Sequence, residues 1–240
     1  MKQFLFTALL IMCPLAIVNA AELCSEPIDT VSEQNATKKV VSEKGKLVIK
    51  GYFNFGLSTM VNTADETKFR LWPSFEVALG LKESWQPFDK KNVWSLGFGV
   101  AWRNYRMDSG TCWYKDPQGN PQLQPYGAGE TNCKTGLHTF SLQVPVTYTH
   151  YFDNEQGWGL TLGGVVNFNT GAHATREYEF QNEEYEVQTT SLHQRPVTVD
   201  ALVMINTPAD LAIYCKYCPM EFFKDGFGYK MHQLSFGIYF

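Results

Sequence analysis

After residue 20 the sequence contains no apolar segment as long as the roughly 20 residues that a membrane-spanning helix requires. It also has no basic stripe: the formal net charge is -4, and Lys and Arg are scattered along 240 residues. The first absence argues against a helical membrane protein. The second gives no reason to expect nucleic-acid binding, because phosphate backbones are recognised by clustered positive charge.

Motifs of common catalytic and metal sites are also missing. The chain has no G-x-S-x-G or other nucleophile motif. Its single C-x-x-C pair has no second pair of ligands, which a structural zinc site would need. We therefore expect no metal and no cofactor.

Aromatic residues and glycine, by contrast, are abundant. Aromatic residues make up 15% of the chain, and Gly occurs 19 times. This combination is more typical of strands and turns than of helix bundles. A chain of 240 residues is compatible with one all-β domain.

The first 20 residues have the features of a secretory signal peptide. Lys2 precedes an apolar stretch from Phe4 to Val18, and the small residue Ala20 favours cleavage directly after it. Residues 21–46 are polar and aperiodic, which predicts a flexible leader. The predicted organisation is therefore a signal peptide at 1–20, a leader at 21–46 and a β-domain at 47–240.

From residue 47 onward, apolar and polar residues alternate with a period of two, as in strands with two different faces. The alternation is present in eight stretches: LVIKGYFNFGLSTM, FRLWPSFEVALGLK, VWSLGFGVAWRN, FSLQVPVTYTHY, WGLTLGGVVNFN, VTVDALVMIN, LAIYCKY and HQLSFGIYF. Many apolar faces run for about ten residues, the length of a tilted strand that crosses a bilayer. Trp94, Trp102, Tyr148 and Trp158 lie near the ends of these faces, as in an aromatic girdle. The second face is mostly small or polar, which suits the crowded interior of a narrow barrel.

The connections between these stretches alternate in length. Those near 86–92, 153–157 and 207–210 are short, whereas those near 107–136 and 171–196 are long. The sequence predicts an all-β fold: an antiparallel eight-stranded transmembrane β-barrel with short periplasmic turns and longer extracellular loops. The last strand is expected to pair with the first, because closure removes both sheet edges. A soluble sandwich or lipocalin-like barrel is the alternative.

With this pattern the chain resembles the small outer-membrane β-barrel proteins of Gram-negative bacteria, the superfamily of the eight-stranded outer-membrane protein A barrel, which is porin-like in its strands. The closing segment YCKYCPMEFFKDGFGYKMHQLSFGIYF resembles the ends of barrel-domain proteins from the Bacteroides group. The resemblance implies a bacterial outer-membrane location, contact with outer-membrane lipid and lipopolysaccharide, and insertion by the barrel assembly machinery. It assigns the assembly signal to four residues: Leu234, Phe236, Ile238 and Phe240. We expect a monomer.

The strand register predicts a set of charged side chains inside the barrel. They are Lys50, Arg70, Glu76, Lys82, Arg103, Asp200 and Lys216. The interior of an eight-stranded barrel is just wide enough for side chains to fill, and buried charges must pair. We therefore expect a salt-bridged plug around Glu76 and Asp200 rather than an open pore.

Five cysteines remain after the signal peptide. Cys112 and Cys133 flank a loop rich in Gly and Pro, and an extracellular disulfide between them is expected to remove about 3 kcal/mol of loop entropy. Cys215 and Cys218 face opposite sides of a strand, so they can bond only if the strand ends between them. The pairing of Cys24 stays open.

The stretch REYEFQNEEYEV alternates around QNE, which predicts two strands that continue above the membrane as an acidic hairpin. Its carboxylates are Glu177, Glu179, Glu183, Glu184 and Glu186. A divalent-cation or partner site is one reading. A solvated hairpin is favoured, because nothing fixes oxygen ligands at a metal-loop spacing.

The favoured function is structural, adhesive or ligand-contacting, with an unknown extracellular ligand bound by the loops. A lipid-modifying barrel enzyme, of deacylase or acyltransferase type, is the first alternative. Ser191 and His193 lie near the outer end of a strand, with His173 across the same loop, but catalysis would need a carboxylate in contact with them. A soluble periplasmic barrel that binds an apolar ligand is the second alternative.

Overall fold

The structure is a computed structural model, and it describes residues 48–63, 67–87, 89–107, 110–153 and 157–240. These residues belong to one compact unit, Lys44–Phe240. The predicted signal peptide at 1–20 and leader at 21–46 lie outside the described residues, and so does Cys24.

The described residues form strands and no helix, which confirms the predicted all-β class. The strands are β1 (Val48–Val61), β2 (Phe69–Trp85), β3 (Asn92–Met107), β4 (Thr111–Lys115), β5 (Pro121–Pro125), β6 (Thr131–Tyr151), β7 (Gly159–Phe180), β8 (Glu183–Thr190), β9 (Val197–Asn206), β10 (Ala212–Tyr217) and β11 (His232–Tyr239). In the part of the chain described here, no helix is long and apolar enough to cross a membrane.

Eight strands form a closed antiparallel ring. Its order is β6-β3-β2-β1-β11-β10-β9-β7, and β7 pairs with β6 to close it. The last strand pairs with the first from Asn54↔Tyr239 to Val61↔His232, as predicted. Beyond this ladder, the Phe240 N–H donates to the Phe53 carbonyl at 2.8 Å. The ring therefore leaves neither terminal strand with a free edge.

A pair of glycines allows a close approach at this closing seam. Gly56 of β1 lies directly opposite Gly237 of β11. A Cβ at Gly56 would collide with the Phe236 carbonyl oxygen and would lie 2.5 Å from the Tyr214 hydroxyl. Only glycine fits there, because the opposing Phe236 backbone, which is held in the β1–β11 ladder, leaves no room for a Cβ.

The two ends of the ring differ. At the short-turn end the connections are 86–91, 152–158 and 207–211, and at the long-loop end they are 62–68, 108–130, 181–196 and 218–231. The remaining three strands lie at the long-loop end: β4 pairs with β5, and β8 pairs with the last residues of β7, from His173 to Phe180. Much of the predicted loop sequence is thus strand, since β6 already begins at Thr131 and β7 continues to Phe180.

The two faces of the ring have opposite polarity. On β3, Trp94, Leu96 and Phe98 point outward and are exposed, whereas Ala101 and Arg103 are buried inside. Buried polar residues from the other ring strands include Asn54, Ser58, Glu76, Ser141, Gln143, Thr161, Asn167, Asp200, Lys216, Gln233 and Ser235. The ring thus carries polar side chains on its inner face and apolar side chains on its outer face.

The predicted alternation of β2 is wrong at one end. Between Arg70 and Phe75 the register with β3 shifts, because β2 advances five residues while β3 advances two. As a result, Leu71 and Trp72 are both exposed, and Trp72 is 75% exposed. Pro73 lies within this irregular segment and has no N–H to donate to the ladder.

Apolar clusters occupy both ends of the interior. The loop-end core comprises Met60, Tyr105, Met107, Trp113, Leu137, Ala174, Leu192, Phe222, Phe223 and Met231. The turn-end core comprises Val165, Leu202, Met204, Ala212 and Tyr214. Half of the loop-end core comes from β4 and the connections, so the long loops fold over the mouth of the ring.

Candidate functional site

Arg103 is the centre of a charge network inside the ring, between the two apolar cores. Its Nε donates to Glu76 Oε2 at 2.6 Å, and its Nη2 donates to Asp200 Oδ2 at 2.8 Å. Its Nη1 donates to Gln233 Oε1 at 3.1 Å. One guanidinium therefore joins β2, β9 and β11 to β3 through three of its five donors.

Glu76 has two further partners. Lys216 forms an ion pair with Glu76 Oε1, and Asn54 Nδ2 donates to the same oxygen at 3.0 Å. The Glu76 and Arg103 side chains are at most 1% exposed. Two carboxylates face two cations, so the network is electrically balanced, and breaking a buried pair of this kind typically costs about 3–5 kcal/mol.

Strand geometry places these residues together. Glu76 and Arg103 lie directly opposite each other in the β2–β3 ladder. Asp200 and Lys216 enter from β9 and β10 on the far side of the ring. The period-two pattern points all four side chains inward, and the structure brings these four of the seven predicted charges into direct contact.

The other three predicted charges lie outside the network. Lys50 is exposed toward the short-turn end, and Arg70 is exposed because the irregularity in β2 changes its face. Lys82 does point inward, but its Nζ lies 4.7 Å from the centre of the Tyr239 ring, nearer the short-turn end. Sequence reasoning missed Asn54 and Gln233, although both occupy inward positions of their strands.

A small cavity remains in the interior on the short-turn side of the network. Its volume is about 30 Å³, and Tyr52, Lys82, Gln143 and Tyr239 are among its lining residues. A space of this size holds little more than a water molecule.

The prediction of a disulfide is wrong. The disulfide expected between Cys112 and Cys133 is not formed, and both residues are free thiols. Cys112 is fully buried on β4, whereas Cys133 lies where the β6–β7 register shifts. The spacing of the two cysteines in the sequence does not determine the distance between their thiols. Burial raises the pKa of the Cys112 thiol. Cys215 is exposed and Cys218 is buried, as expected for opposite sides of the strand.

The acidic hairpin is present as predicted. β7 and β8 are joined by Gln181 and Asn182 with φ of 54° and 62°, as in a type I′ turn. Glu177 lies opposite Glu186, and Glu179 lies opposite Glu184, so these four carboxylates share one face. The fifth, Glu183, lies on the other face with Tyr185. Within the described residues no group of three or more His, Cys, Asp or Glu side chains is placed to hold a metal ion.

Ser191, His193 and His173 line a common groove of about 600 Å³ at the long-loop end. Ser191 and His193 both have positive φ, 57° and 53°, a conformation that non-glycine residues adopt rarely. Their predicted proximity is thus present, but among the residues that the structure describes, none that lines the groove is Asp or Glu. The described lining therefore supplies no acid for a Ser-His-acid triad.

No model of a protein family matches the chain, and a search of curated proteins finds no match.

Proposed function

We propose that the ring is a transmembrane β-barrel of the bacterial outer membrane, with a sealed lumen and an interaction role at the cell surface. One observation carries the proposal: the outward face is apolar around the whole ring, whereas the buried charged groups and most of the buried polar groups of the ring strands lie on the inward face. A soluble protein of this architecture has the opposite arrangement, because water favours polar groups outside.

Every strand of the ring contributes to the outward apolar face. Exposed outward residues include Phe55 (β1), Leu81 (β2), Phe98 (β3), Val146 (β6), Leu162 (β7), Val203 (β9), Ile213 (β10) and Ile238 (β11). Continuous exposed apolar surface on this scale marks contact with lipid or with another protein. Because it surrounds the ring completely, a bilayer fits it better than a partner on one side.

Aromatic residues border this surface at both ends. Toward the short-turn end lie Trp85, Trp94, Phe152, Trp158 and Phe240, and toward the long-loop end lie Trp72, Trp102, Phe140 and Phe168. Trp94 and Trp102 are eight residues apart on β3, which is roughly 27 Å along the strand and about 20 Å along the axis of a tilted barrel. This spacing resembles the band between the two aromatic girdles of outer-membrane barrels.

The contents of the lumen support a sealed barrel rather than a channel. The charge network spans the interior at mid-height, and an apolar core lies on each side of it. Such a barrel is suited to holding its long loops rigidly at the cell surface rather than to transporting solutes.

The long-loop end offers a surface for partners. β6, β7 and β8 continue beyond the ring as a three-stranded sheet, and Phe180, Tyr185 and Val187 are exposed on it. Within the described residues β8 pairs only with β7, so its other edge is available for an added strand. These features support contact with an extracellular ligand. Leu234, Phe236, Ile238 and Phe240 alternate along β11 and its end, a pattern suited to reading by the assembly machinery.

Two observations favour the barrel over the alternatives. A soluble barrel with an apolar ligand would need an apolar cavity, whereas the cavity in the lumen is only about 30 Å³ and includes Lys82 and Gln143 in its wall. A lipid-modifying enzyme would need a carboxylate beside Ser191 and His193, and no Asp or Glu of the described part of the chain lines their groove.

Fractionation of the native envelope, followed by electrophoresis of unheated and boiled samples in SDS, tests the proposal. We expect recovery in the outer membrane and a change of mobility on boiling. Release with the soluble periplasm, at unchanged mobility, would overturn the membrane assignment.

A further inference from the structure

We propose that the free edge of β8 binds an extended segment of another protein, as an added strand in which Lys or Arg alternates with apolar residues. This partner deepens the proposed function, from which it takes only the location at the cell surface. Three features carry the proposal: the backbone groups along the edge, the charges on one face of β8, and the apolar side chains on its other face.

β8 is an eight-residue edge strand. It pairs with β7 along its whole length without a register shift, and within the residues that the structure describes it pairs with no other strand. Natural edges are protected against strand addition by Pro, by bulges or by charged side chains. Of these, β8 has only acidic side chains, and residues 183–188 are all exposed. The edge therefore repels an acidic strand and is open to a basic one.

The backbone groups on this edge can be identified from the turn. The two-residue turn at the tip of the hairpin makes Phe180 and Glu183 a hydrogen-bonded pair, and such pairs alternate along an antiparallel ladder. The N–H and C=O groups of Glu184, Glu186 and Gln188 therefore point away from β7. An added strand can bond to these groups, since main-chain hydrogen bonds supply the affinity in this mode of recognition.

The β7 carboxylates on the outward face of the hairpin already have partners. Arg106 Nη1 and Lys134 Nζ lie 3.6 and 3.8 Å from the Glu177 carboxylate. Asn132 Nδ2 donates to Glu179 Oε2 at 2.6 Å. The polar groups of the neighbouring strands are thus used on the β7 side.

The β8 carboxylates on the same face lack a cation. Glu186 accepts a hydrogen bond from Gln188 Nε2 at 2.8 Å, and in the described part of the chain neither Glu184 nor Glu186 forms an ion pair. Each lies directly opposite a carboxylate of β7, Glu179 or Glu177, and like charges in opposed positions are destabilising. A Lys or Arg opposite Glu184 and Glu186 on an added strand offsets this repulsion.

The other face of β8 favours apolar residues in the partner. Tyr185 and Val187 are 41% and 45% exposed there. On an added antiparallel strand their partners form the non-hydrogen-bonded pairs, whose Cα atoms are about 4.5 Å apart rather than about 5.5 Å. Side chains are closest in such pairs, which suits aromatic and β-branched partners. The added strand is therefore basic on one face and apolar on the other.

A second copy of β8 fits the edge poorly. The strand contains no Lys or Arg, so a copy brings no cation to the acidic face. In a two-fold antiparallel register centred on Glu186, the two Glu186 side chains would lie opposite each other. Charge complementarity therefore selects a basic strand from a different protein.

Fluorescence anisotropy of a labelled synthetic peptide that alternates Lys with Val and Tyr tests the edge, with the purified full-length protein in detergent. We expect binding that slows hydrogen exchange at the amides of Glu184, Glu186 and Gln188. Exchange at Val187 is expected to stay unchanged, because its N–H already bonds to β7.

Two N-methylated peptides of the same sequence separate strand addition from simple charge attraction. Methyl groups on the Lys nitrogens remove the N–H groups that point toward β8, and we expect them to abolish binding. Methyl groups on the Val and Tyr nitrogens point away from β8, and we expect that peptide to bind. Equal affinity of the two peptides, or no binding of the unmethylated peptide, would overturn the proposal.

Side-chain variants test the acidic face. Glu184→Gln combined with Glu186→Gln is expected to weaken binding about fivefold, as for loss of two cross-strand charge pairs. Glu183→Gln, on the opposite face of the same strand, is the matched control and is expected to bind like wild type. The mobility shift on boiling verifies that each variant is folded. Equal affinity of the double variant and the control would contradict the basic character of the partner.

The remaining outcomes concern the occupant and the location. Sedimentation of a wild-type dimer that dissociates when peptide is added would assign the edge to a second copy and overturn the proposal. Peptide binding by a protein that fractionates with the soluble periplasm would contradict the cell-surface location and leave strand addition supported. Recovery in the outer membrane without peptide binding would leave the barrel supported and overturn the added strand.

Discussion

Replacing Arg103 by Met is expected to destabilise the fold strongly, because Arg103 joins both carboxylates of the network. The substitution keeps much of the aliphatic volume but removes all three donated hydrogen bonds. Glu76 keeps Lys216 and Asn54, whereas Asp200 loses its ion pair inside the ring, where its side chain is 1% exposed. An uncompensated buried charge costs about 3–5 kcal/mol, and we expect Arg103→Met to lower the free energy of unfolding by that amount.

The assay is urea unfolding of the protein refolded in phospholipid vesicles, followed by Trp fluorescence. Arg103→Met with Asp200→Asn is expected to recover part of the loss, because the orphaned charge is removed. Lys82→Met is the matched control, since Lys82 also points inward but lies outside the network, and we expect less than about 1 kcal/mol for it. A loss below about 1 kcal/mol for Arg103→Met, or equal losses for Arg103→Met and Lys82→Met, would refute the role given to the network.

Three further predictions concern the seam, the thiols and a loop tyrosine. Gly56→Val is expected to prevent closure, because a side chain there meets Tyr214 and the opposing backbone, and the product should lack the mobility shift on boiling. On intact cells a membrane-impermeant maleimide should label Cys133 and leave buried Cys112 unmodified until unfolding; equal labelling would contradict this. Burial raises the pKa of Tyr126 to about 12. The protonated Tyr126 hydroxyl therefore contributes its full stability below the unfolded pKa of about 10, and this contribution is lost as the pH rises toward 12. Absorbance titration and unfolding at high pH, compared between wild type and Tyr126→Phe, measure the pKa and the loss of stability.

The sequence pattern predicted the ring well for a physical reason. A strand with one face in a polar interior and the other in an apolar environment needs a period of two; β9 and β11 follow it throughout, and β3 follows it as far as Arg103. The same period placed Glu76, Arg103, Asp200 and Lys216 on the inward face. It could not predict that Asp200 and Lys216 contact Arg103 and Glu76, because they lie 97 and 140 positions away in sequence and come from the far side of the ring.

The failures have equally specific causes. Arg70 was predicted to point inward, but the irregularity in β2 between Arg70 and Phe75 turns it outward. Periodicity alone cannot locate such an irregularity, although Pro73 lies within it. The disulfide was inferred from spacing alone, which does not report the distance between Cys112 and Cys133. The loop-end core was missed because residues such as Phe222 lie in irregular segments, where no period distinguishes a buried side chain from an exposed one.

Contact of the outward face with lipid is the central claim, and spin-label accessibility tests it most directly. Labels would be placed one at a time at Leu81, Phe98, Leu162 and Ile213 in vesicle-embedded protein, with Gln118 in the exposed β4–β5 turn as the reference. We predict that the four outward labels are accessible to oxygen and protected from a water-soluble nickel chelate, whereas the label at 118 is accessible to the chelate. Chelate access at all four outward positions would contradict the account.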